Sequence, residues 1–117
     1  MNIFTKLWIL PASCVGLFLS LLYGRMDVST LDDLKLIRVR RLFPSYASAQ
    51  THGNVILYRG KKMSVFIIEH ETVHVRQYMR WGIFFYPAYA LCSIWAFLKG
   101  ESPYFDNCFE KEAYKDK

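Results

Sequence analysis

The stretch Ser64-Val-Phe-Ile-Ile-Glu-His-Glu-Thr-Val-His-Val-Arg-Gln-Tyr-Met-Arg-Trp81 carries His70-Glu71-Thr72-Val73-His74 at its centre. Val65, Phe66, Ile67 and Ile68 precede the first histidine, Val73 and Val75 follow, and neither Gly nor Pro interrupts before Gly82. The run therefore predicts a buried helix. On a helix, positions i and i+4 lie one above the other on one face, so the two imidazoles can grip a single ion. Glu71 then sits beside the ion rather than on it. This is the H-E-x-x-H arrangement, in which two histidines hold zinc and the glutamate takes a proton from the zinc-bound water. The bland alternative is a partly buried helix whose histidines are satisfied by their neighbours. Two histidines at this spacing around a glutamate weigh against it.

Catalytic zinc needs three protein ligands and one open position, so a further ligand must come from elsewhere. Glu101, Asp106, Glu110, Glu112 and Asp116 are the candidates after the motif. Glu110 has Ala113 and Tyr114 at i+3 and i+4, a small residue that permits close helix contact and an aromatic that can pack. Glu112 shares its face with Lys115 and Asp116, which reads as solvent, although Phe109 is within its reach. Glu110 is preferred and Glu112 is the second choice. Asn107-x-x-Glu110 is also capping-box spacing, which would occupy Glu110 with a backbone N–H instead.

At 117 residues and 53% apolar content the chain is one domain with a core, too short for a multi-lobed protease. Its net charge of +5 is spread along the chain without finger spacing or an aromatic-interleaved basic repeat. It therefore reads as membrane-surface bias and solvated faces, with no nucleic-acid partner expected. Cys14, Cys92 and Cys108 are odd in number and widely spaced, which predicts free thiols in a reducing compartment, without a disulfide framework or zinc knuckle.

Leu7 to Tyr23 carries no charge and predicts an uncleaved hydrophobic membrane anchor over residues 1–24, with a cleaved signal peptide as the rival. Pro11 falls in its first turns. Arg25, Lys35, Arg38, Arg40 and Arg41 follow, against Lys6 before it, which by the positive-inside rule puts the 25–117 domain in the cytoplasm. Asp27 to Asp33 reads as a polar connector, with Thr30-x-x-Asp33 starting a short helical turn. Leu34 to Phe43 alternates as a strand that Pro44 stops, and Ser45 to Gly53 reads as a loop. His52 in that loop is a solvated histidine with no assigned role. Asn54 to Arg59 is the clearest strand, followed by a Gly60-Lys-Lys turn. Trp81 to Leu98 is again uncharged, but Gly82 and Pro87 break its first third. A packed or interfacial helix is preferred there to a second span. Lys99-Gly100 closes it, and Asp106 or Asn107 caps a short final helix.

The segments Ile-Ile-Glu-His-Glu-Thr-Val-His-Val-Arg-Gln and Asn-Cys-Phe-Glu-Lys-Glu-Ala resemble the gluzincin class of zinc metallopeptidases, and in particular its smallest members, the minigluzincins. The resemblance covers about Ala47 to Tyr114. It implies an α+β, minimal zincin-like fold: a small sheet, an active-site helix and a C-terminal glutamate helix, here behind an N-terminal hydrophobic helix. In that class the third ligand is a glutamate in E-x-x-A or E-x-x-S followed by Asp. Glu110-x-x-Ala113 matches, whereas Tyr114 stands where the Asp would orient a metal-bound histidine. The resemblance thus implies a zinc metallopeptidase acting on a peptide or protein, with His70, His74 and Glu110 on Zn2+ and Glu71 as general base, and the hydrophobic run over residues 1–24 makes it a membrane-anchored one. Asn54 to Tyr58 becomes a strand of its sheet and a candidate for the edge that accepts substrate. The alternative is a non-enzymatic membrane protein that keeps the zincin-like fold.

Overall fold

Val55, Ile56 and Leu57 are fully buried in succession, the pattern of a strand covered on both faces. In the computed structural model, which describes residues 1–43, 45, 47–61 and 63–115, they belong to strand β4 (Val55–Tyr58). The fold is α+β. Helix α1 (Ile3–Leu22) leads into a hairpin of β1 (Arg25–Leu31) and β2 (Leu34–Val39), and a second hairpin pairs β3 (Ala49–His52) with β4. Helix α2 (Val65–Trp81), a 3₁₀ turn (Gly82–Phe84), α3 (Phe85–Leu98) and α4 (Cys108–Lys115) follow.

The sheet has the order β1-β2-β4-β3, with β2 and β4 parallel and the other pairs antiparallel. Strand β4 is therefore interior, and the edge beside α2 is β3, which corrects the expectation that Asn54 to Tyr58 could offer an edge. Two other expectations fail for one reason, which is that pairing with a neighbour overrides a polar local sequence. Asp27 to Asp33 is mostly strand, turned by Asp32 at φ 54, and Asp33 binds the terminal amine and Lys6 instead of capping a helix. Ser45 to Gly53 is not all loop, because Ala49–His52 pairs with β4 in register from Ala49↔Tyr58 to His52↔Val55. The strand expected from Leu34 ends at Val39, and Pro44 and Lys62, the residues assigned to a stop and a turn, lie outside the described residues.

Successive residues of β3 point to opposite faces. Thr51 meets α2 through Glu71, and the Cβ of His52 faces α1. Helix α1 lies close against β3 and β4 because its inward residues Ala12, Ser13, Gly16 and Ser20 are small. A Cβ on Gly16 would come within 2.9 Å of that of His52. Leu17, Leu19 and Tyr23 complete the apolar layer over Ile37, Val39, Val55 and Leu57. Ile9 and Ala12 join a second cluster with Tyr78, Phe85 and Phe109, which ties α1 to α2, α3 and α4.

Ser64 caps α2 by accepting from the Ile67 N–H at 3.2 Å, and Gly82, at φ 60 against the Trp8 ring, turns the chain into α3. Pro87 sits in the first turn of α3, where a missing N–H costs nothing, so the helix continues to Leu98 and Lys99 caps it. Both α1 and the run Val65–Leu98 are long and apolar enough to cross a membrane, by length and composition. Cys92 on α3 and Cys108 on α4 form a disulfide, with Cα atoms 6.0 Å apart. This overturns the expectation of three free thiols. The turn through Gly100 and Pro103 brings together two cysteines whose separation of 16 gave no local signal. Cys14 is free and exposed.

Candidate metal centre

The second and third turns of α2 point His70, Glu71 and His74 inward, and each is only 5–6% exposed. Helix α4 crosses it, with Ala113 fully buried at the contact, and brings Glu110 over both imidazoles. Nε2 of His70 and Nε2 of His74 each lie 3.1 Å from the same Glu110 Oε1. The three ligand atoms fall within 4.8 Å of one another, so the group could hold a metal ion.

The hydrogen bonds around His74 test whether these residues suit a cation. The Gln77 Nε2 donates to the Phe109 carbonyl at 3.0 Å and to Glu112 Oε1 at 2.6 Å, which fixes its Oε1 as an acceptor. That oxygen lies 2.7 Å from His74 Nδ1, so Nδ1 carries the proton. In the neutral ring, Nε2 then turns a lone pair toward a carboxylate oxygen. Two acceptors in a buried site repel unless a proton or metal ion sits between them. The donor set fits zinc, which favours histidine nitrogen and carboxylate oxygen.

Without a metal the proton takes that place, and the electrostatics follow. Burial opposes charge on His74, but the hydrogen bond to Glu110 and its negative charge outweigh it and raise the imidazole pKa. Burial would raise the Glu110 carboxyl, yet bonds from His70 and His74 pull it down to about 2. The Tyr89 hydroxyl holds its other oxygen at 2.7 Å. Glu71 behaves oppositely. Burial lifts its pKa against the pull of His74, the Thr51 hydroxyl at 2.8 Å, and His70.

The remaining acidic candidates stand apart from this group. Glu112 anchors Gln77, Glu101 pairs with Lys99, Asp106 accepts from the Ser102 N–H, and Asp116 lies outside the described residues. Asn107 caps α4 by accepting from Phe109 N–H, so the capping box is not formed and Glu110 is left to the histidines. Tyr114 packs its ring 4.4 Å from that of His70, while His70 Nδ1 is buried without a hydrogen-bond partner among the described residues.

No family model, curated protein or solved structure matches this chain. The site is therefore read from its own geometry. A cleft of about 1020 Å³ runs from β3 past Glu71 and the three-residue group to Tyr104 and Phe105. The Tyr104 hydroxyl faces that of Tyr114 at 3.4 Å.

His52 is not the solvated loop residue expected, because β3 carries it into the structure half-buried. Its Nε2–H donates to Gln50 Oε1 at 2.8 Å and its Nδ1 accepts from the Tyr86 hydroxyl. Burial pulls its pKa down to about 4. The sequence motifs also leave out Gln77, Tyr89 and Thr51. Gln77 had a usable signal, because i+3 from His74 puts it on the same helical face. Tyr89 and Thr51 had none, since chain crossings alone bring them to the site.

Proposed function

We propose that this protein is a zinc-dependent metallopeptidase of the gluzincin type, with His70, His74 and Glu110 as metal ligands and Glu71 as general base. The observation that carries the proposal is the convergence of two imidazoles on one Glu110 oxygen, with a buried carboxylate next in sequence to the first histidine. Zinc bound there would lower the pKa of a coordinated water to about 7 and polarise a carbonyl. The chain's own groups do the rest. Glu71, with its pKa raised and Thr51 fixing one oxygen, takes a proton near neutral pH and passes it to a leaving amine. Gln77 holds His74 in the ligating tautomer, the task that an Asp in place of Tyr114 would perform. Edge strand β3 borders the cleft and can align an extended peptide by strand addition.

The rival is a non-enzymatic membrane protein that keeps the zincin-like fold, with a structural metal or none. Structural zinc sites are closed by a fourth protein ligand. Among the described residues the group has three members, which favours an open, catalytic position. Helix α1 is the contact with the membrane. The Cys92–Cys108 disulfide favours an oxidising compartment for the domain, against the cytoplasmic side suggested by the arginines after α1.

Glu71→Gln tests the mechanism. It should bind zinc as the wild type does, measured by mass spectrometry, while hydrolysis of a peptide library falls by about 10²–10⁴-fold. Full hydrolysis with zinc retained would remove Glu71 as the base.

A further inference from the structure

Apart from Lys6, the exposed side of α1 is apolar: Ile3, Phe4, Leu7, Leu10, Phe18, Leu21 and Leu22 are 49–79% exposed. The opposite face is held in the domain by small residues and by Ile9. This inverts the usual amphipathic helix, which buries its large apolar side chains. Helix α3 repeats the inversion. Leu91, Ile94, Trp95 and Leu98, at i, i+3, i+4 and i+7, are 54–71% exposed, while Phe85 and Ala96 face inward. Trp8 of α1 and Phe84 of the 3₁₀ turn that leads into α3, both exposed, bring their rings within 6.1 Å.

The charges around this surface identify what covers it. Arg25 and Arg41 bond to carbonyls of the last turns of α1, at Leu17 and Leu22, and the Arg40 side chain packs against Gly24. None of the three forms an ion pair among the described residues. At the other end, the single carboxylate of Asp33 pairs with both the terminal amine and Lys6, which leaves one net positive charge there against three from the arginines. The apolar surface therefore has unopposed positive charge at one end, which suits an anionic headgroup layer beside a hydrocarbon one. A second copy carries the same net charge of +5, which disfavours self-association.

We infer that α1 and α3 together form a membrane-docking surface by which the folded domain lies on an anionic bilayer, with α1 in the membrane plane and still packed on β3 and β4. A spanning α1 would have to carry the sheet into the hydrocarbon or leave it, which would expose Val55 and Leu57. The positive-inside bias of a spanning helix then sets no orientation, and the disulfide's preference for an oxidising compartment stands unopposed.

Fluorescence depth measurement on the full chain tests this. With Cys92 and Cys108 bonded, Cys14 is the one thiol, and it lies on the outward face of α1. A fluorophore on Cys14 would be compared with one at Phe4→Cys, Leu21→Cys or Leu91→Cys, each combined with Cys14→Ser. The vesicles are phosphatidylcholine mixed with phosphatidylglycerol, carrying shallow or deep spin-labelled lipids. Docking predicts one shallow depth for all four positions. It also predicts vesicle affinity about tenfold or more lower in Leu91→Gln/Trp95→Gln, and roughly fivefold lower for each of Arg40→Gln and Arg41→Gln. A deep Cys14 label between shallow ends would mean a spanning helix and would overturn the inference. So would an unquenched Leu91→Cys label, or dimerisation without vesicle binding.

Discussion

Helices α2 and α4 bury a cluster of polar residues, whereas α1 and α3 expose many of their apolar ones. Inside the first pair, His70, Glu71, His74, Gln77 and Glu110 are each at most 6% exposed, and a water-soluble helix gains nothing by burying them. Outside the second pair, Phe4, Leu91, Trp95 and Leu98 face outward at 63–79% exposure. The difference separates two functions. The buried polar groups assemble the candidate metal site, and the exposed apolar groups are the surface proposed above to meet a bilayer. The disulfide joins the two regions, since Cys92 belongs to α3 and Cys108 lies two residues before Glu110.

The strongest way to break this contrast is to remove the group that draws the polar side chains together. Glu110→Ala or His74→Ala should abolish stoichiometric zinc, a loss larger than the roughly 10–100-fold produced by an outer partner, whereas Glu112→Ala should retain it. Metal content by mass spectrometry decides, and zinc retained in Glu110→Ala would shift the third ligand elsewhere. Next comes the link between the regions. Reducing the Cys92–Cys108 bond frees a 16-residue separation and should lower stability by about 3 kcal/mol, read as a shift in the denaturation midpoint with and without reductant.

A finer test separates the two histidines. His74 Nδ1 has Gln77 as its partner, and His70 Nδ1 has none among the described residues. Gln77→Ala should weaken zinc binding by about 10–100-fold in competition with a chelator, with the chain still folded by circular dichroism. An unchanged affinity would leave His74 as unsupported as His70.

The smallest effect concerns the β3 side of the cleft. The folded pKa of His52, about 4, is depressed from the ordinary 6.5, so the neutral ring is the one the fold accepts. Its contribution is complete above pH 6.5 and is lost as pH falls toward 4. At pH 5 this should cost about 2 kcal/mol relative to pH 8. Denaturant melts at the two values, compared with His52→Gln, check it. An equal acid slope in the variant would assign the effect to other groups.

The helix from Val65, its inward histidines and the strands at Leu34 and Val55 were legible because their signals are local. They rest on an unbroken apolar run, an i,i+4 spacing and a β-branched stretch. Glu110 was legible from its small neighbour Ala113, which the structure places fully buried against α2. Strand β3 was not, since Ala49-Gln-Thr-His52 has no propensity strong enough to show without β4 beside it. The disulfide was hidden because two thiols pair by the distance between their helices and not by their distance along the chain.

By itself, the sequence determined which residues can ligate, because imidazole and carboxylate chemistry and helical periodicity travel with the residues. Only the tertiary structure decided that Glu110 meets both imidazoles, that Gln77 orients one of them, and that α1 turns its apolar side away from the domain. Each of these depends on which face of one element meets another, and that follows from packing over the whole chain.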